Sequence, residues 1–279
     1  MPNRPIVGID VGGTKLLLVA QWPDRRDVNR VPTGPAFTGR HLDAEIDGFL
    51  SSLAAAPLGA GVAVPGLVGE DGSVKACDVL PLLVGWRGET LARLCPVRLF
   101  NDVEAASLEE LHDLPAGTTA AVVMSGTGIG AAFVADGRPL RGARGWAGEL
   151  GSIPLVGPEG VTTLDQLASG AAILKRVGGG AASVLSRAAA REPAVLQALR
   201  VAGEALGVGL ATVIDLFNPA VVAVGGGTLE LPGYFDAALE SARRHAMPEL
   251  WRVCELRRVR EGEMAAALGA LRAISAELV

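Results

Sequence analysis

Asp10-Val11-Gly12-Gly13-Thr14-Lys15 places a carboxylate, two glycines, a hydroxyl and an ammonium within six residues. Glycine N–H groups in a tight turn can cradle an anion, because no side chain keeps the backbone away. An acid at the end of the preceding strand can hold a hydrated Mg²⁺ beside a phosphate. A plain β-turn without a ligand fits the same residues. The apolar Ile6–Ile9 comes before the turn and Leu16–Ala20 after it. Strand, turn and returning strand is therefore the expected arrangement. A P-loop needs G-x-x-x-x-G-K-[ST] opening a helix, and a dinucleotide fingerprint also needs a helix after its glycines. Neither pattern is present here. Lys15 is either a phosphate contact or a solvated turn residue.

Two further glycine turns follow strand-like runs. Ser125-Gly126-Thr127-Gly128-Ile129-Gly130 lies between Ala120–Met124 and Ala131–Ala135. Gly225-Gly226-Gly227 ends the apolar run Pro219–Val224, and there a simple strand–helix turn is the competing reading. One such turn is a weak signal, but three together suit a nucleotide held by backbone loops. Asn101-Asp102 lies between the strand Val97–Phe100 and a helix over Val103–His112. A carboxylate in that position either takes a proton from an attacking hydroxyl or caps the helix.

These residues need a frame. Gln21–Gly39 is polar and turn-rich, with room for a third strand. His41–Leu53 has helical spacing of Leu42, Ile46, Phe49 and Leu50. Gly59–Val64 reads as a short buried strand ended by Pro65-Gly66. Asp136-Gly137 reads as a hairpin turn. Gly170–Arg191, Pro193–Phe217, Tyr234–His245 and Glu263–Leu278 read as helices. The alternation is α/β. The strand–glycine turn–strand unit occurs twice, about 110 residues apart, which suggests two related domains. The expected division is an N-terminal domain over 1–103, completed by a C-terminal helix at 265–279, and a larger domain over 104–264.

Composition narrows the function classes. The chain has 279 residues, 49% of them hydrophobic, and a formal net charge of −5. That is room for two domains of ordinary size, and the acidic balance argues against a nucleic-acid partner. The 3 cysteines, Cys77, Cys95 and Cys254, are widely spaced and form no C-x-x-C or Cys/His cluster. Neither a disulfide framework nor a structural zinc site is supported. No apolar run approaches the roughly 18 residues of a membrane span, and no signal peptide is apparent, so a cytoplasmic protein is expected.

The order and spacing of Asp10–Lys15, Val64-Pro65-Gly66, Asn101-Asp102, Ser125–Gly130, Gly142–Gly151, Leu164–Gly170 and Asn218–Gly227 resemble the ROK family of the actin-like ATPase superfamily. The resemblance spans nearly the whole chain. It implies a two-domain α/β fold of the actin-like, ribonuclease H-like type with an interdomain cleft. It also implies transfer of the γ-phosphate of ATP to a hydroxyl of a hexose or N-acetylated hexose. Asp102 is then the general base. Gly66, Asn101, Asp102, Glu149, Ser152 and Asp165 take the sugar. Asp10, Gly12, Gly13, Thr14, Ser125, Gly126, Thr127, Gly128, Gly225, Gly226 and Gly227 take ATP, with Asp10 holding Mg²⁺ through water. Family repressors carry a helix-turn-helix before the first strand, and the strand expected at Ile6 leaves no room for one. A homodimer is implied by the resemblance alone.

The chain departs from the family at the sugar side. The usual pattern is Glu-x-Gly-His, a cysteine-rich zinc loop, and Cys-Leu-Glu. Here Ser152 stands in place of the His, Thr163 in place of the last Cys and Asp165 in place of the Glu. Ile153–Thr163 is shorter and has no cysteine. With every zinc ligand absent together, no zinc is expected. Asp165 is one methylene shorter, which withdraws its carboxylate by roughly 1.5 Å. Two other readings remain at this point: a catalytically weak sugar- or nucleotide-sensing protein, and a kinase of a non-sugar polyol. His41, His112 and His245 lie outside the matched motifs and read as surface residues.

Overall fold

The computed structural model describes residues 4–157 and 160–278. In chain order the first elements are β1 (Ile6–Val11), β2 (Lys15–Gln21), β3 (Arg26–Pro32), α1 (Gly39–Ser52), β4 (Ala60–Val64), β5 (Leu67–Val68), β6 (Val74–Ala76), α2 (Glu89–Ala92), β7 (Val97–Asn101) and α3 (Asp102–Glu110). Then come β8 (Ala120–Ser125), β9 (Ile129–Ala135), β10 (Arg138–Pro139), β11 (Pro154–Gly157), β12 (Gly160–Thr163), α4 (Leu164–Ala168), α5 (Gly170–Val177), α6 (Ala181–Ala189) and α7 (Pro193–Phe217). The last are β13 (Val221–Gly225), α8 (Tyr234–His245), α9 (Pro248–Val253), β14 (Glu255–Arg258) and α10 (Ala265–Glu277).

The chain forms two compact units. One comprises Met1–Asp113, Arg141–Trp146 and Arg260–Val279, and the other Leu114–Leu140 and Ala147–Val259. This differs from the expected break after residue 103. Helix α3 belongs with the first unit because α10 packs along it. The contact is close: a Cβ on Gly269 would lie 1.7 Å from the Ala105 carbonyl oxygen.

Each unit carries one five-stranded sheet, and the two have the same plan. The orders are β3-β2-β1-β4-β7 and β10-β9-β8-β13-β14. In both, a hairpin supplies the antiparallel half: β1 with β2, and β8 with β9. Parallel strands follow on the other side: β4 then β7, and β13 then β14. The duplicated strand–turn–strand signal was therefore a duplicated sheet. Strands β4 and β13 are buried at every position, as expected of parallel strands covered on both faces. In the first unit α10 lies on β1 and β4, where Gly8 and Gly61 leave the sheet bare: a Cβ on either would meet a carbonyl of α10 near 2 Å, at 2.1 and 2.0 Å. The second core gathers Leu164, Leu199, Leu206, Leu210, Ile214 and Tyr234 around α7.

One local reading changes and two segments gain definite structure. The helix expected over Gly170–Arg191 is two helices, because Gly178 and Gly179 adopt φ of 72° and 91° between them. The polar stretch after Gln21 does contain a strand, β3. The segment Ile153–Thr163 closes as the β11–β12 hairpin, with Pro154 opposite Thr163 and Gly157 opposite Gly160. Pro158 and Glu159 of that segment lie outside the described residues.

Candidate functional site

In the first unit the singled-out residues gather at the C-terminal ends of three adjacent parallel strands. Asp10 of β1 is in register with Ala63 of β4, and Ala63 with Phe100 of β7. Gly66 follows β4, and Asn101-Asp102 closes β7 and opens α3. Ligands of open α/β sheets bind at this edge.

Asn101 is the N-cap of α3. Its Oδ1 accepts the N–H groups of Val103 at 2.9 Å and Glu104 at 3.1 Å. Its Nδ2 donates to the Gly66 carbonyl at 3.0 Å. Most of the amide is thus committed to holding β7, α3 and the β4 turn together. Gly66 has φ of +149°, and a Cβ there would sit 2.1 Å from the Ala76 carbonyl oxygen, so this turn admits only glycine.

With Asn101 as the cap, Asp102 is the first residue of α3 rather than its cap. Its Oδ1 accepts the Val103 N–H at 2.9 Å, and the helix N-terminus favours its charge. Burial pushes the Asp10 carboxyl up to about 7, and the charge of Asp102 adds to the effect, as does Glu263; Lys15 opposes it. Two carboxylates influencing one another in a desolvated place is the donor chemistry that a divalent cation suits.

The first glycine turn is tied down by a residue the sequence reading passed over. Thr33 donates its hydroxyl to the Gly12 carbonyl at 2.6 Å and its N–H to the Thr14 carbonyl at 3.1 Å. Gly12 N–H returns to Lys15 O at 2.8 Å. The N–H groups of Gly13 and Thr14 make no hydrogen bond among the described residues. The Lys15 ammonium pairs with Glu263, which Arg30 also contacts at 2.8 Å. Lys15 is therefore engaged within the protein.

In the second unit, the turns after β8 and β13 lie side by side, Met124 in register with Gly225. Gly126 N–H bonds to Gly128 O at 2.9 Å, while Thr127 and Gly128 N–H groups make no hydrogen bond among the described residues. Ser125 does not fit the role of a side-chain ligand. It is fully buried, and its hydroxyl lies 2.9 Å from Tyr234 OH and 2.6 Å from Thr228 Oγ1.

Asp165 also faces the second glycine turn. Its Oδ1 accepts Ile129 N–H at 2.6 Å. Gly151 makes room for it: a Cβ there would fall 2.5 Å from that oxygen. The shorter acid at this position thus reaches backbone. Glu149 and Ser152 are exposed, in a turn whose Gly148 carbonyl accepts Ala131 N–H at 2.8 Å. The two turns of the second unit and Asp165 come together there, while Asp10, Gly66, Asn101 and Asp102 come together in the first unit. Thr33, Thr228 and Tyr234 had no sequence signal, since a hydroxyl acquires its partner only on folding, even at Thr228 directly after the third glycine turn.

The sequence profile of the ROK family matches residues 6–277. A bifunctional NanE/NanK enzyme of Brucella melitensis is 33% identical over 259 residues, which cover 88% of this chain and 49% of that protein. The chain thus spans about half the length of that relative. A glucokinase of Halalkalibacterium halodurans is 27% identical, covering 96% of this chain and 94% of its own. Among solved structures, a ROK hexokinase from Thermus thermophilus superposes with a TM-score of 0.76 at 28% identity, over 98% of this chain and 99% of the other.

Proposed function

Because the chain belongs to the ROK family, with its α/β actin-like ATPase fold, we propose that it transfers the γ-phosphoryl group of ATP to a hydroxyl of a hexose or N-acetylated hexose. The observation that carries this reading is the division of labour at the start of α3. Asn101 takes the cap, so Asp102 presents a carboxylate at the strand edge without being the residue that closes the helix. Similarity to a glucokinase and to a bifunctional NanE/NanK enzyme supports a sugar as acceptor.

Phosphoryl transfer is mainly positioning and charge stabilisation. Asp102 takes the proton of the attacking hydroxyl as the bond to phosphorus forms. Asn101 and Gly66 fix the backbone around it, and Glu149 and Ser152 supply further polar groups to the sugar. The N–H groups of Gly13, Thr14, Thr127 and Gly128 suit phosphate oxygens, and Gly225–Gly227 suits the adenosine side. Asp10 would hold a hydrated Mg²⁺, which supplies neutralisation of the phosphate charge. Zinc does not fit, because Gly151–Asp165 offers no thiolate or imidazole.

ADP release measured over a panel of hexoses, N-acetylated hexosamines and polyols tests this directly. Turnover with one sugar class, lost in Asp102→Asn, is the expected result. Turnover with polyols alone, or nucleotide and sugar binding without turnover, would replace the proposal with a polyol kinase or a sensor.

A further inference from the structure

Ser125 opens the glycine turn expected to take ATP, yet its side chain is buried inside the second unit. The Thr228 hydroxyl lies 2.6 Å from both the carbonyl oxygen and Oγ of Ser125. Ser125 Oγ lies 2.9 Å from Tyr234 OH, and Tyr234 OH donates to the Ala168 carbonyl at 2.8 Å. The protons can run in one direction: the Thr228 hydroxyl donates to Ser125, its proton shared between the carbonyl oxygen and Oγ, Ser125 donates to Tyr234, and Tyr234 to the Ala168 carbonyl. Burial pushes the Tyr234 phenol up to about 12, so it remains a donor.

Four backbone segments meet on this chain of hydroxyls. They are the end of β8, the turn after β13, the first residue of α8 and the junction of α4 with α5. The contacts around it are equally close. Gly226 has φ of +99°, and a Cβ there would lie 2.1 Å from the Ser125 carbonyl oxygen. Gly170 N–H donates to Gly126 O at 2.8 Å and Ala171 N–H to Thr127 O at 3.3 Å. Amides that cradle a phosphate act together only when their directions are fixed to within tenths of an ångström.

We infer that Thr228, Ser125 and Tyr234 form a positioning relay that locks the second and third glycine turns into one nucleoside-triphosphate-binding surface. None of the three touches the ligand through its side chain. The inference rests on the phosphotransfer reading for the identity of the ligand.

Tyr234→Phe keeps the ring and removes the hydroxyl. Calorimetric titration with adenylyl imidodiphosphate and Mg²⁺ should show affinity about 10-fold weaker, the loss of roughly one net hydrogen bond. KM for ATP should rise in parallel, with sugar KM within about twofold and kcat within about threefold of wild type. Thr228→Val should reproduce the effect, and carries the test if Tyr234→Phe does not fold. Thr228→Ser, which keeps the hydroxyl, should restore nucleotide affinity. A lowered melting temperature with unchanged analogue affinity would overturn the inference, and so would an equal loss toward ATP and sugar. If the wild type binds the analogue but phosphorylates nothing, the phosphotransfer reading fails and the relay is still judged by the variants' analogue affinity. If the wild type binds no nucleotide, both fail.

Discussion

Asp165 is expected to act on the second glycine turn, and removing its side chain measures that role. Oδ1 lies 2.6 Å from Ile129 N, a short charge-assisted hydrogen bond in a half-buried setting. Such a bond is worth about 2 kcal/mol, and its loss leaves a backbone N–H without that partner. Asp165→Ala should therefore destabilise by about 2 kcal/mol, which lowers Tm by about 4–8 °C for a unit of this size. Asp165→Asn keeps the acceptor oxygen but not the charge, and a neutral bond has about half the strength. It should lower Tm by roughly half as much. Asp165→Glu should not be benign either. The extra methylene drives the carboxylate toward Gly151, where a Cβ would already be 2.5 Å from Oδ1. Scanning calorimetry of the three variants gives the stabilities, and kcat/KM over the sugar panel gives the substrate ranking. The expected outcome is graded destabilisation, weaker use of ATP and an unchanged ranking of sugars. An Ala variant that melts with the wild type but reorders the sugars would refute the argument and return Asp165 to the sugar pocket.

Asp102→Asn should retain the far-ultraviolet spectrum and Tm while kcat falls at least ~100-fold, the low end of general-base catalysis; near-normal kcat would remove Asp102 from the chemistry. Excess chelator should abolish turnover until Mg²⁺ or Mn²⁺ is restored, yet leave the Tm of the free protein unchanged, and elemental analysis should find substoichiometric zinc; a tightly held zinc would refute the reading of the Gly151–Asp165 segment. Arg260→Leu should cost about 3 kcal/mol in a denaturant melt, because it removes the guanidinium from Glu110, whose side chain is fully buried and 3.2 Å away; an unchanged midpoint would show that another group compensates that charge.

Much of the frame was legible because it is written in local pattern. Apolar runs on both sides of Gly12-Gly13 and of Gly126–Gly128 announced two hairpins, and the runs Gly59–Val64 and Pro219–Val224 announced strands, which the fold pairs in parallel. The helices Pro193–Phe217 and Tyr234–His245 have the bounds their periodicity and punctuation predicted. The type of chemistry came from the order and spacing of the motifs, which resemble the ROK family; a glycine turn after a strand and an Asp at a strand–helix junction taken singly leave a plain turn and a helix cap open.

What the chain alone left open was who partners whom, because hydrogen-bond partners far apart in sequence leave no periodic trace. The sequence leaves Asp102 as either base or helix cap and offers no cap role for Asn101; only the fold, which brings Gly66 against the Asn101 amide, gives the cap to Asn101. Ser125 belongs by motif to the glycine turn expected to take ATP, and only the fold places its hydroxyl between Tyr234 and Thr228, each more than a hundred residues away. Asp165, a sugar contact by resemblance, has its bond to the Ile129 N–H only because β9 and Gly151 fold against it. Sequence determined which groups are available and which backbone turns can form. Tertiary structure decided which of those groups are used within the protein and which are left for a ligand, because a buried polar atom must find its partner wherever the packing puts one.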